Sequence, residues 1–374
     1  MKILHFLTSI NTGGAEKFCV DLCNTQANIS DHRIYLCVLD KLENQPLLNS
    51  ISNNVTLISL NKEGGYNLKI IYKIYKLLSK IEPDTIHLNG RALIYTSLAI
   101  LFKQIPSIYT VHTMADKEYN KYIKKYIKLL FNNFSSLFVP VSISQSVSRT
   151  VQIVYGNSFN KIIYNGSSEL NVSPNIELVT NEINILKKDK DTLVFVSVGR
   201  IAPEKNTLLL VKSFNRLLDD GKNVCLCIVG YDTTKEQVYM TMCENTNKYH
   251  DRIKFVGQKD NVSDYLESAD ASCLTSNYEG LGIAALEAFS MGIPVLSTPS
   301  GGPSDIIISG INGYVSKYIS VESYVDILMD FIAIPLNDRK RIFKIYKERY
   351  TMDICAHEYL ELYKTKLKKE FKCI

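Results

Sequence analysis

Two glutamates eight positions apart, Glu279 and Glu287, stand in the run SNYEGLGIAALEAFSMGIPV from Ser276 to Val295. Gly280, Leu281 and Gly282 turn the chain between them. Glu287 lies within AALEAFSMG, where Ala284, Ala285, Leu286, Ala288 and Phe289 mark a packed helix. A charge in such a helix needs a partner, because burying it unpaired is costly. Near a helix start and beside a cleft, a carboxylate can accept two hydrogen bonds from a vicinal diol. Glu279 is placed to meet hydroxyls of a second ring, and the amides between the two can take anionic oxygens. The alternative is that each glutamate pairs with a lysine or arginine of the protein.

Cations stand ready in VSVGRIAPEKNTLLLVKSF. A strand runs to Gly199, and Arg200 and Lys205 flank a loop with Pro203 that opens a helix near Asn206 or Thr207. Arginine grips a phosphate through two parallel hydrogen bonds and lysine adds a point charge, so this spacing suits a diphosphate. The other reading is a solvated loop with incidental charges. Upstream, TSINTGGAEKF ends a strand near Thr8 and enters a helix through Gly13 and Gly14. Glycines there let a ligand approach the backbone at a helix start. The third glycine of the dinucleotide fingerprint is missing, which disfavours a dehydrogenase.

The elements that must position these groups alternate. KILHFLT, RIYLCVL, VTLISL, DTIHLNG, SIYTVHT and SLFVPVS read as buried strands, separated by helical stretches such as AEKFCVDLCNTQAN and NLKIIYKIYKLLSKIE. The pattern restarts with TLVFVSVG, NVCLCIVG, RIKFVG, ADASCLTS and IPVLSTP as strands, and NTLLLVKSFNRLLDD, VSDYLESA and LGIAALEAFSM as helices. Alternation of this kind predicts parallel sheets covered on both faces. The Asn-, Ser- and charge-rich run between Tyr164 and Asp191 reads as an inter-domain connection. The expected division is a domain over 1–168, a linker over 169–190, a second domain over 191–349 and a final helical segment over 350–374. Ligands of such sheets sit beyond the carboxyl ends of the strands, where every motif above falls.

The bulk numbers narrow the classes. A chain of 374 residues usually exceeds one core. A net charge of +5 does not describe a nucleic-acid binder. Nine scattered cysteines form no paired zinc knuckle and read as core residues in a reducing cytosol. The opening MKILHFLTSINTGG is too short in apolar residues for a signal peptide, and ALIYTSLAILF is too short to span a bilayer. The expectation is a soluble, cytoplasmic protein, at most attached to a membrane surface.

Together, Glu279…Glu287, GRIAPEKN and the N-terminal GGAE resemble the family 4 retaining glycosyltransferases, in the expected order over nearly the whole chain. EGLGIAALEAFSMGIPVLSTPSGGPSDII is the most specific part. The resemblance implies the GT-B fold, two Rossmann-like domains facing each other across a cleft. It implies that Arg200 and Lys205 bind the diphosphate of a nucleoside-diphosphate sugar, UDP before GDP, and that Glu287 holds the ribose. Glu279 with the amides of Gly280, Leu281 and Gly282 would hold sugar and phosphate. Gly14 would lie under the diphosphate, Val256 in IKFVGQ would meet the base through its backbone, and His112 would approach the sugar. His87 carries less of that signal, and Asn89 stands where the family more often has a second histidine, on the acceptor side.

A retaining transfer could use a carboxylate nucleophile, but no extra carboxylate presents itself on the donor face. The resemblance implies front-face displacement, in which the leaving diphosphate helps deprotonate the acceptor hydroxyl and the protein positions groups and stabilises charge. The one D-x-D, Asp189-Lys190-Asp191, follows no strand, so no metal or other cofactor is expected. The acceptor implied is a saccharide or lipid-linked saccharide in surface polysaccharide assembly. A sugar-nucleotide epimerase of the same fold and a non-catalytic nucleotide-sugar-binding protein are the alternatives; a phosphorylase lacks a case for its pyridoxal-phosphate lysine.

KEYNKYIKKYIKLLFNNF, from Lys117 to Phe134, reads as a basic amphipathic helix. Tyr119, Tyr122, Ile123, Tyr126, Ile127, Leu130 and Phe134 share one face, and Lys121, Lys124, Lys125 and Lys128 the other. Such a helix either packs its apolar side on the sheet or lies against anionic lipid. The last stretch reads as lysine-faced helices; the resemblance implies that it returns to the first domain from about Tyr350, and KLKKEFKCI is expected to fray.

Overall fold

The structure is a computed structural model. It describes residues 1–374 except 12, 30, 44, 63–67, 157–160, 233–235 and 371–374, and except the side chains of Leu68 and of 368–370. The chain divides into two compact units, Met1–Ser167 with Tyr350–Ile374, and Ser168–Arg349.

The first unit runs β1 Lys2–Leu7, α1 Gly14–Ile29, β2 Arg33–Asp40, β3 Val55–Lys62, α2 Leu68–Ile81, β4 Thr85–Asn89, α3 Ala92–Lys103, β5 Ser107–Val111, α4 Ala115–Glu118, α5 Lys121–Asn133, β6 Phe138–Ser142, α6 Gln145–Tyr155 and β7 Lys161–Ile162. The second runs α7 Ile176–Asn184, β8 Leu193–Val198, α8 Thr207–Asp219, β9 Val224–Val229, α9 Val238–Thr246, β10 Ile253–Gly257, α10 Val262–Glu267, β11 Ala271–Leu274, α11 Ile283–Ser290, β12 Val295–Ser297, α12 Gly302–Ile306, β13 Gly313–Val315, α13 Val321–Ala333 and α14 Arg339–Arg349. Then α15, Met352–Glu370, ends the described chain.

Each unit is built on one parallel sheet, ordered β3-β2-β1-β4-β5-β6-β7 in the first and β10-β9-β8-β11-β12-β13 in the second. Every residue of β4, β5, β6 and β9 is buried, the mark of strands covered on both faces. The strand order reverses at β1/β4 and at β8/β11, and ligands of doubly wound sheets gather at such reversals. Connections through α2, α3, α5 and α6 all step the same way across the first sheet, so right-handed crossovers place these helices on one face. The step through α1 is opposite and places α1 on the other face. There α15 packs against it, burying Tyr359 and Tyr363 with Phe18 and Cys23.

Two expectations need correction. The segment 169–190 is not a free linker. Its helix α7 buries Val179 and Ile183, and Glu182 accepts the Tyr265 hydroxyl at 2.7 Å and pairs with Lys254 at 3.1 Å. Ser173 adds two hydrogen bonds to Asp264 through its amide and hydroxyl. The Ser173 hydroxyl also accepts the Asn175 amide at 3.1 Å, so the residues before α7 form an ordered turn. The basic run from Lys117 is likewise not one helix. Tyr119 is extended, and the Asn120 side chain accepts the amides of Tyr122 and Ile123, which starts α5 afresh.

The eight described cysteines are free and buried. Among the described residues no helix is long and apolar enough to cross a membrane. Residues 371–374 of the tail expected to fray lie outside the described residues.

Candidate active site

In the second unit, the loops that follow the neighbouring strands β8 and β11 are stitched together. The Thr275 hydroxyl donates to the Lys205 carbonyl at 3.0 Å. The Asn277 amide donates to the Glu204 carbonyl at 2.8 Å, and its side chain donates to the Pro203 carbonyl at 2.9 Å. Asn206, in the left-handed backbone region that asparagine tolerates, donates its side-chain amide to Asn277 Oδ1 at 3.1 Å. Across this seam the Lys205 ammonium meets the Glu279 carboxylate, which also accepts the Ser276 hydroxyl at 2.8 Å. The Glu279 side chain is 14% exposed and that of Lys205 31%. Arg200 is more open and pairs with Glu204 on its own loop at 2.9 Å.

The turn after Glu279 is fixed from below. The Glu279 amide donates to the Ser300 carbonyl at 2.7 Å, and its own carbonyl accepts the Gly302 amide at 3.1 Å. Gly302 has no room for a side chain, since a Cβ would stand 2.2 Å from the Gly280 carbonyl oxygen. Gly282, at φ +86°, takes the left-handed conformation that starts α11. Glu287 is not buried as AALEAFSMG suggests. With Ile283 and Ala284 it forms the half-exposed stripe of α11, whereas Ala285, Leu286, Ala288 and Phe289 are buried. One short helix therefore serves the core and still offers a carboxylate. Val256 lies near the end of edge strand β10, where the register with β9 shifts between Phe255 and Gly257.

Gly14 and His112 belong to the first unit. Gly14 opens α1, and Phe18, one turn on, sets its ring 5.4 Å from that of His112. His112 Nε2 lies 2.9 Å from Asn89 Oδ1. The Asn89 amide nitrogen faces the Phe6 carbonyl and Cys19 Sγ, so its oxygen must be the atom turned to His112. Nε2 therefore carries the proton and Nδ1 the lone pair. That Nδ1 is buried and has no hydrogen-bond partner among the described residues. Burial pushes the His112 pKa down to about 3, so the ring is neutral at physiological pH. His87 is a core residue, held by the Tyr363 hydroxyl at 2.6 Å and the Thr110 hydroxyl at 2.7 Å.

Residues 12–167 match the family described as "Glycosyltransferase Family 4", and residues 179–349 match "Glycosyl transferases group 1". This chain is a family 4 glycosyltransferase. Over 332 residues the enzyme is 21% identical to the UDP-Gal:alpha-D-GlcNAc-diphosphoundecaprenol alpha-1,3-galactosyltransferase of Escherichia coli, covering 84% of this chain and 80% of that one. It is 25% identical to the capsular polysaccharide glycosyltransferase CapM of Staphylococcus aureus, covering 81% and 82%. A shorter stretch of 177 residues is 28% identical to a probable sucrose-phosphate synthase of Thermosipho melanesiensis, spanning 41% of that protein. Among solved structures, HepE of Anabaena, determined with UDP and glucose, is 20% identical at a TM-score of 0.81, covering 97% of this chain and 99% of that one. The fold is GT-B.

In the transferase, Lys205, Glu279, Arg200 and the 280–282 turn occupy one pair of loops, and Glu287 follows on the helix they open. Sequence reasoning missed the asparagines that lock this region, Asn206 and Asn277, one at the end of GRIAPEKN and one within TSNYEG. Asp189 is a turn residue, accepting the Asn223 side chain at 2.7 Å and the Asp191 amide at 2.9 Å. Among the described residues, the one grouping of ligand atoms close enough to share a metal ion is His5, Cys19 and Cys23, all within 4.8 Å and fully buried in the first unit's core. Of the lysines named on α5, Lys121, Lys125 and Lys128 are exposed, and Lys124 donates to the Asp116 carbonyl at 2.6 Å.

Proposed function

We propose that the enzyme transfers a hexose or N-acetylhexosamine, with retention, from a UDP-sugar to a saccharide or lipid-linked saccharide in surface polysaccharide assembly. The contact between Lys205 and Glu279, across loops that follow adjacent strands at the sheet's reversal, carries this reading. The UDP-using galactosyltransferase of Escherichia coli and the capsular transferase of Staphylococcus aureus support the substrate class. Arg200 and Lys205 take the diphosphate, Glu287 the ribose hydroxyls, and the Val256 backbone the base. Gly14 is assigned to the diphosphate by the family resemblance alone. Glu279, with the amides of Gly280, Leu281 and Gly282, holds the sugar and the nearest phosphate. His112, neutral, accepts a sugar hydroxyl.

The acceptor oxygen forms its bond to the anomeric carbon on the face from which the diphosphate departs, and its proton passes to the departing phosphate oxygen. Charge on that leaving group is met by Lys205, Arg200 and backbone amides, a preorganised electrostatic role that requires no metal. A carrier-linked acceptor lies at a membrane, and the α5 lysines Lys121, Lys124, Lys125 and Lys128 are expected contacts there.

Lys205→Ala and Glu279→Ala should each lower transfer about 100-fold or more, the scale for losing a preorganised transition-state contact, with circular dichroism unchanged. UDP-sugars should raise the melting temperature of the wild type, and transfer should persist in EDTA. Near-normal turnover in both variants, an inverted anomeric product, or conversion of the donor without acceptor would each overturn the assignment.

A further inference from the structure

On the face of the first sheet covered by α1, three soft ligand atoms converge where the transfer reaction has no use for them. His5 lies on β1. Cys19 and Cys23 lie one turn apart on α1 and so share a helix face. A ring nitrogen of His5 and the two sulfurs all lie within 4.8 Å of one another, and all three residues are fully buried.

The surroundings hold these groups as ligands are held. The buried Gln26 directs its amide nitrogen to the Tyr363 hydroxyl of α15 at 3.4 Å, so its oxygen faces His5 and accepts from Nε2–H at 2.9 Å. Nδ1 then carries the lone pair. It is buried and has no partner in hydrogen-bonding geometry among the described residues. A buried acceptor left in this way is costly. Histidines that bind metal ordinarily donate their other ring N–H to an outer partner, which is the role Gln26 fills. Asn89 of β4 donates its side-chain amide to Cys19 Sγ at 3.4 Å, a contact that favours thiolate over thiol. His87, with its ring centre 4.8 Å from that of His5, does not compete, since both its nitrogens are taken by Tyr363 and Thr110.

We infer that His5, Cys19 and Cys23 bind a structural zinc ion, which ties β1 to α1 under the cover of α15. An imidazole with two thiolates is a donor set suited to zinc. Binding releases both thiol protons to solvent, and the two thiolates offset the dication, so the centre is neutral as a core requires. A water takes the fourth position that zinc prefers. Copper(I) on the same thiolates would leave a net negative charge buried, which is why charge selects zinc. The ion takes no part in the transfer step. Its test contains none either, so a failed donor assignment would leave the inference standing.

Full-length protein from zinc-supplemented cells, washed with EDTA and desalted, should retain an equimolar amount of zinc by elemental analysis. Unfolding in guanidinium should release it to a chromophoric chelator. Cobalt(II) in its place should give thiolate-to-cobalt charge transfer and the visible bands of a four-coordinate site. Cys23→Ala and His5→Leu should each abolish retention. Gln26→Leu should weaken affinity about 10–100-fold, the range for losing an outer partner. Cys273→Ala, in the core of the second unit, should retain zinc in full. If the ligand variants do not fold, the metal content and cobalt spectrum of the wild type decide alone. Metal-free wild type without thiolate–cobalt bands, copper in place of zinc, or zinc retained in both Cys23→Ala and His5→Leu would overturn the inference.

Discussion

Asn89 and His112 show what one amide decides. A neutral imidazole can hold its proton on either nitrogen, and the Phe6 carbonyl behind Asn89 selects Nε2. Asn89→Leu removes that selection, and His112 should then populate both tautomers. Nitrogen-15 shifts of labelled histidine read this directly, with or without substrate. A transfer loss of up to about 100-fold, the lower end for losing a positioned catalytic group, should accompany the change, carried by kcat more than by KM. An unchanged tautomer in the variant would show that the amide sets nothing. From the sequence, only the family resemblance puts Asn89 on the acceptor side; its partners lie 83, 70 and 23 positions away, and no local pattern announces them. Glu287 was half legible: the need for a carboxylate near a helix start was visible, but which stripe of an alanine-rich helix stays open depends on what packs against it. The partnership of Lys205 with Glu279, 74 positions apart, joins two motifs that were each legible alone.

The short helix α4 joins β5 to α5 through a carboxyl that behaves unlike its neighbours on the surface. The Tyr109 hydroxyl of β5 donates to Glu118 Oε1 at 2.5 Å, and burial, partly offset by the Tyr109 and Tyr119 hydroxyls, raises the Glu118 pKa to about 7. The folded chain therefore holds a proton that the unfolded chain has released above about pH 4.5. This contribution is complete below that pH and is lost as pH rises through 7. The window of about 2.5 units corresponds to roughly 3 kcal/mol. Glu118→Gln keeps the acceptor and cannot ionise. It should match the wild type near pH 4.5 and exceed it at pH 8, by an amount of that order, in urea unfolding. Equal stability of the two proteins at pH 8 would mean that the carboxyl ionises at no cost. At this scale the sequence was generous with strands, whose apolar runs need no partner to be recognised. It was misleading where lysines surround a break: Asn120 restarts the helix within a run whose periodicity continues past it, and α7 hides in a segment of linker-like composition. The first depends on the Asn120 cap and the second on distant partners, Asp264 and Tyr265, that periodicity does not register.

At the scale of the molecule, the last described helix belongs with the first strand. Tyr359 and Tyr363 reach Thr110 and His87 with their hydroxyls, and Met352, Cys355 and Ala356 lie in the same core as Ile3 and Leu22. The unit between, 168–349, is continuous in the chain. A fragment of 168–349 expressed alone should unfold cooperatively on heating. A fragment of 1–167 should not, and covalent attachment of 350–374 should restore its transition. Cooperative melting of 1–167 by itself would show that α15 merely decorates the surface. The two parallel sheets are legible from alternating elements, but their strand orders are not, and a helix that leaves one unit to complete another is a long-range event whose segment has only the composition of a basic, half-buried helix. One consequence concerns birth order. Residues 1–167 leave the ribosome before 350–370, which finish their core, so the unit 168–349 can settle first, and the earlier-made unit must wait, partly open and within reach of chaperones, until that helix has been made.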